Sequence, residues 1–533
     1  MASMSSNLKL VLIDGEWRPA QDPVGSFRAA NPATGSEVGD VYPISSYADA
    51  EAALQAAHRA AQELIKISPE AIADFLDLFA EGIQARCEDL TETANLETAL
   101  PKEPRLRLTE LPRTTNQLQQ AAAAARDRSW CRATIDTKVN IRSKYGPLGG
   151  PVVVFGPNNF PFAFNSAAGG DFAAAIAAGN PVLAKAHPCH PGTTRLFAEI
   201  AFECLKKNRL PRATVQLIYH LQAEDGFRLV AHPLLQATAF TGSRSAGLRL
   251  KEAADRAGKT IYLEMSSVNP IFILPGALAE KRDQIAAELS SSCTLGAGQF
   301  CTKPGLVILV QDKNSEAFFR KVQEYFEQTP AGFLLSTSVL EGMKTAVETM
   351  KNSGAEIITG GEQLEDPGFR FANTLLRVPG NVFLEHPNEL QQEAFGAVTL
   401  CVFAKDFGQM LEIADGLEGN LSGCIYSHSG GHDDDLHNQL EPTLRLKVGR
   451  LLNDKMPTGL AVVPAMVHGG PFPATGHPGF TSVGIPASML RFAALRCYDN
   501  VRQDRLPPEL RDKNPTGKMW RLIDGQWTQK NVP

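Results

Sequence analysis

The sequence predicts an α/β protein whose central part is a doubly wound parallel sheet. From residue 151 onward, short apolar runs alternate with helical stretches, as they do when parallel strands are joined by crossover helices. These runs are PVVVFG, NPVLAKA, TVQLIYH, LQATAFTG and TIYLEM. With 533 residues, 43% of them hydrophobic, the chain is too long for one core, so two or three domains are expected.

The other elements follow in chain order. Residues 48–125 are rich in strong helix formers and predict a layer of amphipathic helices. Residues 131–148 alternate β-branched and polar residues and predict an exposed two-stranded ribbon. After residue 301 a second α/β series contains GLVILV, SEAFFRKVQEYFEQT, EIITGG, TLCVFA and SGCIYS. The tail from about residue 486 is rich in proline and charge and is expected to pack against another element.

One short sequence occurs almost twice. LIDGEW at residues 12–17 is nearly repeated as LIDGQW at residues 522–527. Because Asp-Gly is a preferred hairpin turn, two β-hairpins with the same turn chemistry are favoured over a true duplication.

Composition argues for work on small molecules. The net charge is −6 and no long basic run occurs, so neither nucleic acid nor an anionic membrane is expected as a partner. No stretch approaches the ~20 apolar residues of a membrane span, and the start of the chain does not resemble a signal peptide, so a cytoplasmic location is expected. The nine cysteines form no CxxC pair, so neither a disulfide framework nor a metal site is expected, and Cys204 and Cys401 are interpreted as core residues.

Two residues predict the chemistry. Cys301 lies in GAGQFCTKPG, where small neighbours expose a thiol to a substrate, and this predicts a nucleophile. Glu264 lies in IYLEMSSVNP, where a strand end runs into a loop and a partly buried carboxylate can act as a base. Together they can form a thioester and then hydrolyse it.

Polar residues at strand ends predict further parts of a site. Asn159, in the turn VFGPNNFPFAFN, is a candidate for stabilising an oxyanion, although such asparagines are commonly turn residues. Lys185 ends a strand of the predicted sheet, where it can bind a ribose or a phosphate of a cofactor or simply be solvated.

A second group of residues is suited to a dinucleotide. FTGSRSAG places a turn before a helix, whose N-terminus can face a pyrophosphate, and QQEAFGAVT offers a carboxylate for ribose hydroxyls and a ring for nicotinamide. Neither GxGxxG nor a P-loop is well placed in the chain. The candidate cofactor residues here are Thr241, Gly242, Ser243, Glu393 and Phe395.

In this order and at these separations, the motifs resemble the aldehyde dehydrogenase superfamily over residues 10–500. The resemblance implies that Cys301 is the nucleophile, Glu264 the general base and Asn159 an oxyanion donor together with the backbone N–H of Cys301. It also implies that Lys185, Ser243, Glu393 and Phe395 contact NAD or NADP.

The resemblance also implies the architecture. A Rossmann-like coenzyme domain is expected over residues 1–130 and 149–265, and an α/β catalytic domain over residues 266–470. A β-ribbon at residues 131–148 and the extension 471–533 are expected to join copies into a homodimer or homotetramer.

Finer motifs resemble one branch of the superfamily. KAHPCHPGT, EMSSVNP, GQFCTKPG and PPELRDKNPTG are similar to α-ketoglutaric semialdehyde (2,5-dioxovalerate) dehydrogenases. The sequence departs from the commoner pattern at EMSSVNP and at Asp171, where many members place a lysine, and both changes are expected to affect the cofactor cleft or the proton route.

Substrate and cofactor choice are predicted from single positions. Arg113 is a candidate for binding a substrate carboxylate, with a surface arginine or a pair with Glu110 as the alternative. Pro188 stands where NAD-preferring relatives have a glutamate, which favours NADP, while Glu224 and Asp225 in the following loop oppose it. Further candidates for the aldehyde route are Phe164, Gln299 and Phe300.

Other function classes stay open at this point. They include a broad-specificity or fatty aldehyde dehydrogenase, a dehydrogenase that acylates coenzyme A and a non-catalytic binding protein. A cysteine hydrolase would need a histidine paired with Cys301. None of the eleven histidines, among them His187, His190 and His468, stands in a recognisable partner motif.

Overall fold

The computed structural model describes residues 8–533. Residues 1–7 therefore lie outside the described residues. They belong to the predicted coenzyme domain and to the start of the chain, which was not expected to be a signal peptide. The N-terminal part contains β1 Val11–Ile13, β2 Glu16–Arg18, β3 Gly25–Ala30, β4 Glu37–Ile44, α1 Tyr47–Leu64, α2 Pro69–Ala85, α3 Cys87–Thr98 and α4 Leu111–Asp127.

The predicted amphipathic helices at residues 48–125 are confirmed. Ser46 caps α1, where its Oγ accepts a hydrogen bond from Asp49 N. Alanines and leucines at helical spacing bury one face of α1 against the sheet. A π-helical segment, Lys102–Glu110, interrupts the layer immediately before α4.

The first sheet is the predicted doubly wound sheet, and all five predicted strands form. The ribbon strands β5 Thr134–Asp136 and β6 Ile141–Pro147 come first in the chain and belong to another sheet. The elements that follow are β7 Val152–Phe155, α5 Gly170–Ala177, β8 Val182–Lys185, α6 Pro191–Asn208, β9 Val215–Ile218, α7 Ala223–Val230, β10 Ala237–Thr241, α8 Arg244–Arg256 and β11 Thr260–Glu264. The strand order is β11-β10-β7-β8-β9-β1-β2, with β7 to β11 parallel. The order reverses between β7 and β10, so the carboxyl ends of these two strands flank a crevice.

A second seven-stranded sheet follows. Its elements and the last strands of the chain are β12 Ile271–Ile273, α9 Pro275–Thr294, β13 Leu306–Val310, α10 Lys313–Gln328, α11 Thr337–Asn352, β14 Glu356–Thr359, β15 Thr374–Pro379, α12 Gly380–Glu385, α13 Pro387–Leu390, β16 Val398–Ala404, α14 Phe407–Asp415, β17 Asn420–Tyr426, α15 Asp434–Lys447, β18 Val448–Asn453, β19 Ala493–Asp499, β20 Arg521–Ile523 and β21 Gln526–Thr528. The order is β14-β15-β16-β13-β12-β17-β18, and apolar clusters cover both faces.

The predicted ribbon is confirmed as the antiparallel pair β5 and β6 in a sheet of order β19-β6-β5-β20-β21. The tail packs on it through buried Leu506, Leu510 and Met519, as expected. Both Asp-Gly sequences form hairpin turns, β1-β2 and β20-β21, in which aspartate and glycine have positive φ.

All nine cysteines are free thiols, and Cys204 and Cys401 are buried as predicted. Within residues 8–533, the helices are too short or too polar to cross a membrane.

Candidate active site

A cleft of about 840 Å³ lies where the carboxyl ends of β7, β10 and β11 face the segments before β13 and β16. This volume is typical of a cofactor site. The cleft collects most of the residues predicted from sequence, namely Asn159, Phe164, Thr241, Gly242, Ser243, Glu264, Cys301, Glu393 and Phe395. Met265, Ser266, Ser267 and Val268 also line it, so the EMSSVNP segment forms part of the cleft wall.

Cys301 lies in a tight loop. Gly296, Ala297 and Gly298 have φ of 57°, 55° and 71°, and a Cβ at residue 298 would lie 2.3 Å from the backbone of Gly396. The small residues before the thiol therefore allow a turn and a close backbone contact. Asn269 holds the loop from the other side, because its Nδ2 donates to the carbonyls of Cys301 and Lys303 at 2.9 and 3.0 Å.

The structure places a histidine beside the thiol, although no histidine stands in a recognisable partner motif of the sequence. His468 Nε2 lies 3.3 Å from Cys301 Sγ and 2.8 Å from Glu264 Oε1. Ser482 Oγ donates to Glu264 Oε2 at 2.8 Å. Glu264 and His468 are only 1% and 2% exposed. The sulfur of Cys301, a ring nitrogen of His468 and a carboxylate oxygen of Glu264 therefore all lie within 4.8 Å of one another.

Sequence reasoning missed His468 because 167 residues separate it from Cys301 and it lies in an irregular loop. One signal was available. Two glycines follow His468, and a Cβ on Gly469 would lie 2.0 Å from Phe480 O. Glycines allow two backbone segments to lie in close contact. Such a contact fixes the backbone next to His468 and therefore the position of its side chain.

The charges of Glu264 and His468 stabilise each other. Burial alone raises the pKa of Glu264, but the charge of His468 and the hydrogen bonds from His468 and Ser482 lower it below its usual value. Burial alone lowers the pKa of His468, but the charges of Glu264 and Cys301 outweigh it and raise that pKa. Both shifts favour the charged forms of the buried pair, a carboxylate and an imidazolium.

Asn159 follows β7 and is 6% exposed. Its Nδ2 donates to the carbonyl of Gln299 at 3.0 Å, which places the amide next to the loop of the nucleophile. The side chain of Gln299 has a different role from the predicted one. Its Oε1 accepts from Leu335 N and its Nε2 donates to Phe333 O, so it fixes the chain and does not line the aldehyde route.

Aromatic rings that line the cleft, Phe160 and Phe164, pack with Phe300 and with two arginines. Phe160 lies 5.4 Å from Phe164 and 5.5 Å from Phe300, measured between ring centroids. The guanidinium carbon of Arg113 lies 5.1 Å from the centroids of both Phe160 and Phe164. The guanidinium carbon of Arg105 lies 4.4 Å from the ring centroid of Phe160.

Arg113 is neither a surface residue nor paired with Glu110. Its Nε and Nη2 are buried and have no hydrogen-bond partner in the described part of the chain. Burial lowers the pKa of Arg113, while the nearby charges of Glu110, Cys301 and Glu264 partly counteract this effect. A buried guanidinium with free N–H groups is suited to an anionic ligand.

The predicted cofactor residues fit a dinucleotide. Ser243 caps α8 and lines the cleft with Gly242, so a helix N-terminus faces the space where a pyrophosphate would bind. Burial lowers the pKa of Lys185, at the end of β8, to about 8 and raises that of Glu393 to about 7. Glu393 lines the cleft, whereas Lys185 is not among the residues that line it.

Asp171 does not contribute to the cleft. Its carboxylate accepts from Arg491 Nη2 at 2.5 Å in a buried ion pair, which fixes α5 to the segment before β19. The expectation that Asp171 alters the cofactor cleft or the proton route is therefore not supported by its position.

The chain is similar to known proteins over most of its length. The model of the aldehyde dehydrogenase family matches residues 17–446. The chain is 37% identical over 515 residues to alpha-ketoglutaric semialdehyde dehydrogenase 2 of Azospirillum brasilense, covering 94% of this chain and 96% of that one. It is 34% identical over 539 residues to alpha-ketoglutaric semialdehyde dehydrogenase of Acinetobacter baylyi, covering 99% and 100%.

Solved structures share the fold. A variant of Thermus thermophilus 1-pyrroline-5-carboxylate dehydrogenase superposes with a TM-score of 0.79 at 25% identity and covers 92% of each chain. A 3,6-anhydro-L-galactose dehydrogenase in complex with NAP superposes with a TM-score of 0.78 at 20% identity, covering 92% of this chain and 99% of that one.

Proposed function

This chain belongs to the aldehyde dehydrogenase family, and from that premise we propose that its substrate is 2,5-dioxopentanoate, which it oxidises to 2-oxoglutarate. The observation that carries the proposal is the buried guanidinium of Arg113, whose Nε and Nη2 have no hydrogen-bond partner among residues 8–533. A carboxylate can accept from two guanidinium N–H groups at once. An aldehyde with a carboxylate at its far end would therefore orient itself between Arg113 and Cys301. The two relatives named for this semialdehyde support the same choice.

We assign the chemical steps to Cys301, Asn159, Glu264 and His468. Cys301 Sγ attacks the aldehyde carbon, and Asn159 Nδ2 and the backbone N–H of Cys301 stabilise the oxyanion. The bound nicotinamide dinucleotide supplies the hydride acceptor. Glu264 then takes a proton from water, the water oxygen attacks the thioester carbonyl, and the C–S bond breaks to release the acid.

His468 has two tasks in this scheme. Its positive charge lies 3.3 Å from Sγ, where it stabilises negative charge on the sulfur before attack and again when the sulfur leaves. Its hydrogen bond to Oε1 orients the carboxylate of Glu264. Because Glu264 and the dinucleotide cleft accompany the cysteine, hydrolysis after oxidation is favoured over a simple cysteine hydrolase or transfer to coenzyme A.

The enzyme uses NAD(P), as its family does, and we infer a preference for NADP. No carboxylate stands at Pro188 to repel a 2′-phosphate. Glu224 and Asp225, expected in a loop, lie instead in the first turn of α7 and outside the set of residues that line the cleft. Their opposing effect is therefore small.

We also propose that copies associate through the ribbon sheet. Its outer strand β19 is an edge strand, and Leu495 on it is 62% exposed. An exposed edge with an apolar side chain is a template for pairing with another chain. A homodimer or homotetramer built on this edge would protect it from water.

The test is a substrate panel followed by the absorbance of the reduced nicotinamide. The panel contains 2,5-dioxopentanoate, succinic semialdehyde, glutaraldehyde and a medium-chain aldehyde, each with NAD and with NADP. Cys301→Ala is the control. We expect the highest kcat/KM with the keto acid and no turnover in the variant. Equal activity on the neutral aldehydes would contradict the role of Arg113.

A fatty aldehyde is the second candidate. The rings of Phe160, Phe164 and Phe300 pack with Leu460 and Val462 in one apolar cluster on the substrate side of the thiol. The chain is also 26% identical over 403 residues to a long-chain-aldehyde dehydrogenase of an Acinetobacter species, covering 73% of this chain. Highest kcat/KM with the medium-chain aldehyde would favour this candidate.

A further inference from the structure

Residues 157–165, which we term the oxyanion loop, contain Asn159 and form only turns. Such a loop lacks the hydrogen bonds of a helix or sheet, so its backbone groups need other partners. Side chains supply them. His190 Nε2 lies 2.9 Å from Pro157 O, Asn165 Nδ2 donates to Pro161 O at 2.8 Å, and Gln117 Nε2 donates to Ala163 O at 2.9 Å.

The centre of the oxyanion loop is held by a buried ion pair. Glu110 is 0% exposed, and its Oε1 accepts from Phe162 N at 2.7 Å and from Ala163 N at 2.9 Å. Its Oε2 accepts from Arg105 Nη1. The other end of the same guanidinium, Nη2, donates to the backbone carbonyl of Asn159 at 2.9 Å.

We propose that Glu110 and Arg105 are positioning residues that hold Asn159 where its amide can donate to the oxyanion. The inference rests on the proposed role of Asn159. Both side chains bind backbone groups of the oxyanion loop, so both act through it. A charged pair suits this task because a carboxylate accepts several N–H groups and a guanidinium donates in fixed directions.

The nucleophile has a separate anchor. The loop of Cys301 is held by Asn269 through the carbonyls of Cys301 and Lys303. A change at Glu110 or Arg105 should therefore displace the oxyanion donor. It disturbs the loop of Cys301 only through the hydrogen bond from Asn159 Nδ2 to Gln299 O, while the two bonds from Asn269 keep the thiol in place. This separation makes the inference testable.

The first variant is Glu110→Gln. The new amide can still accept from Phe162 N, but its NH₂ group faces Arg105, which loses its partner and releases Asn159 O. We expect kcat to fall about tenfold to a hundredfold, less than the loss from removing an oxyanion donor outright, with little change in KM. Propanal serves as substrate beside the keto acid, so the result does not depend on recognition of a carboxylate.

Alkylation of Cys301 by iodoacetamide separates positioning from general damage. This reaction needs the sulfur but no oxyanion donor, so its rate should stay within about twofold of the parent enzyme. Cys301→Ala gives the background from the other cysteines. Arg105→Lys provides a second variant that keeps the charge near Glu110 and loses the hydrogen bond to Asn159 O, in case Glu110→Gln does not fold.

A double variant gives the decisive result. If Glu110 acts through Asn159, adding Glu110→Gln to Asn159→Ala lowers kcat no further. Arg107→Ala is the matched control, because Arg107 lies on the same π-helical segment as Arg105 and Glu110. It removes only an exposed ion pair with Glu88 and should leave kcat unchanged.

Three outcomes would overturn the inference: an unchanged kcat in Glu110→Gln and Arg105→Lys, additive losses in the double variant, or equal loss of alkylation. If Asn159→Ala itself has no effect, the proposed oxyanion role fails instead, and the two failures are thereby distinguished.

Discussion

Replacing Arg113 by methionine should raise the free energy of unfolding and lower kcat/KM for the keto acid. The buried Nε and Nη2 of Arg113 have no partner in the described residues, and each orphaned donor costs about 1 to 3 kcal/mol. The two contacts with the rings of Phe160 and Phe164 return about 0.5 to 2 kcal/mol each. Methionine has a similar length and keeps the apolar packing. We expect Arg113→Met to raise the free energy of unfolding by about 1 to 2 kcal/mol.

The effect on catalysis has the opposite sign. Two charge-assisted hydrogen bonds to a substrate carboxylate contribute about 1.5 to 3 kcal/mol each. Their loss corresponds to a fall in kcat/KM of about a hundredfold to ten-thousandfold for 2,5-dioxopentanoate. A neutral aldehyde of the same length, pentanal, makes neither bond, so its kcat/KM should stay the same or rise.

The assay compares kcat/KM for the two aldehydes and measures Tm by calorimetry. Arg126→Met is the matched control, because Arg126 lies on the same helix and is paired with Asp74 and Asp77 at the surface. It should leave both kinetic constants unchanged. An equal loss for pentanal and the keto acid in Arg113→Met, or a lower Tm, would refute the reasoning.

Three further predictions concern the acid–base pair, the cofactor and the assembly. The charge of His468 helps to lower the pKa of Glu264. His468→Asn should therefore reduce kcat and move the acidic limb of the pH–rate profile to higher pH. An acidic limb that does not move would count against the ion pair. Since burial lowers the pKa of Lys185 to about 8, its positive charge is present below that pH and lost above it. The KM for NADP should therefore rise above about pH 8, and Lys185→Met should abolish this dependence. Leu495→Lys should shift the oligomer toward monomer in analytical ultracentrifugation, and an unchanged sedimentation coefficient would exclude the β19 edge.

Much of the fold could be predicted because its signals are local. The five strands of the first sheet, the helical layer and the ribbon each follow from apolar periodicity within a short stretch. The two Asp-Gly hairpins follow from turn chemistry at single positions. The π-helical segment Lys102–Glu110 could not be predicted, because no such periodicity marks it.

The site was predicted only where a residue carries a motif of its own. Cys301 and Glu264 stand in recognisable segments, and the structure brings them together. His468 and Arg105 have no local signature, and only contacts across the chain define their positions. Gln299 shows the reverse error, since closeness to Cys301 in sequence did not direct its side chain toward the substrate.

The sequence by itself determined the class of fold and the family and predicted the nucleophile, because periodicity and short motifs depend on neighbouring residues. The tertiary structure decided which distant side chains share a charge or a hydrogen bond. The link between His468 and Glu264 and the link between Glu110 and the oxyanion loop depend on how two sheets and a helical layer pack. Burial then sets the strength of these contacts. In the absence of water the attraction between opposite charges is stronger, and each unpaired donor costs more free energy.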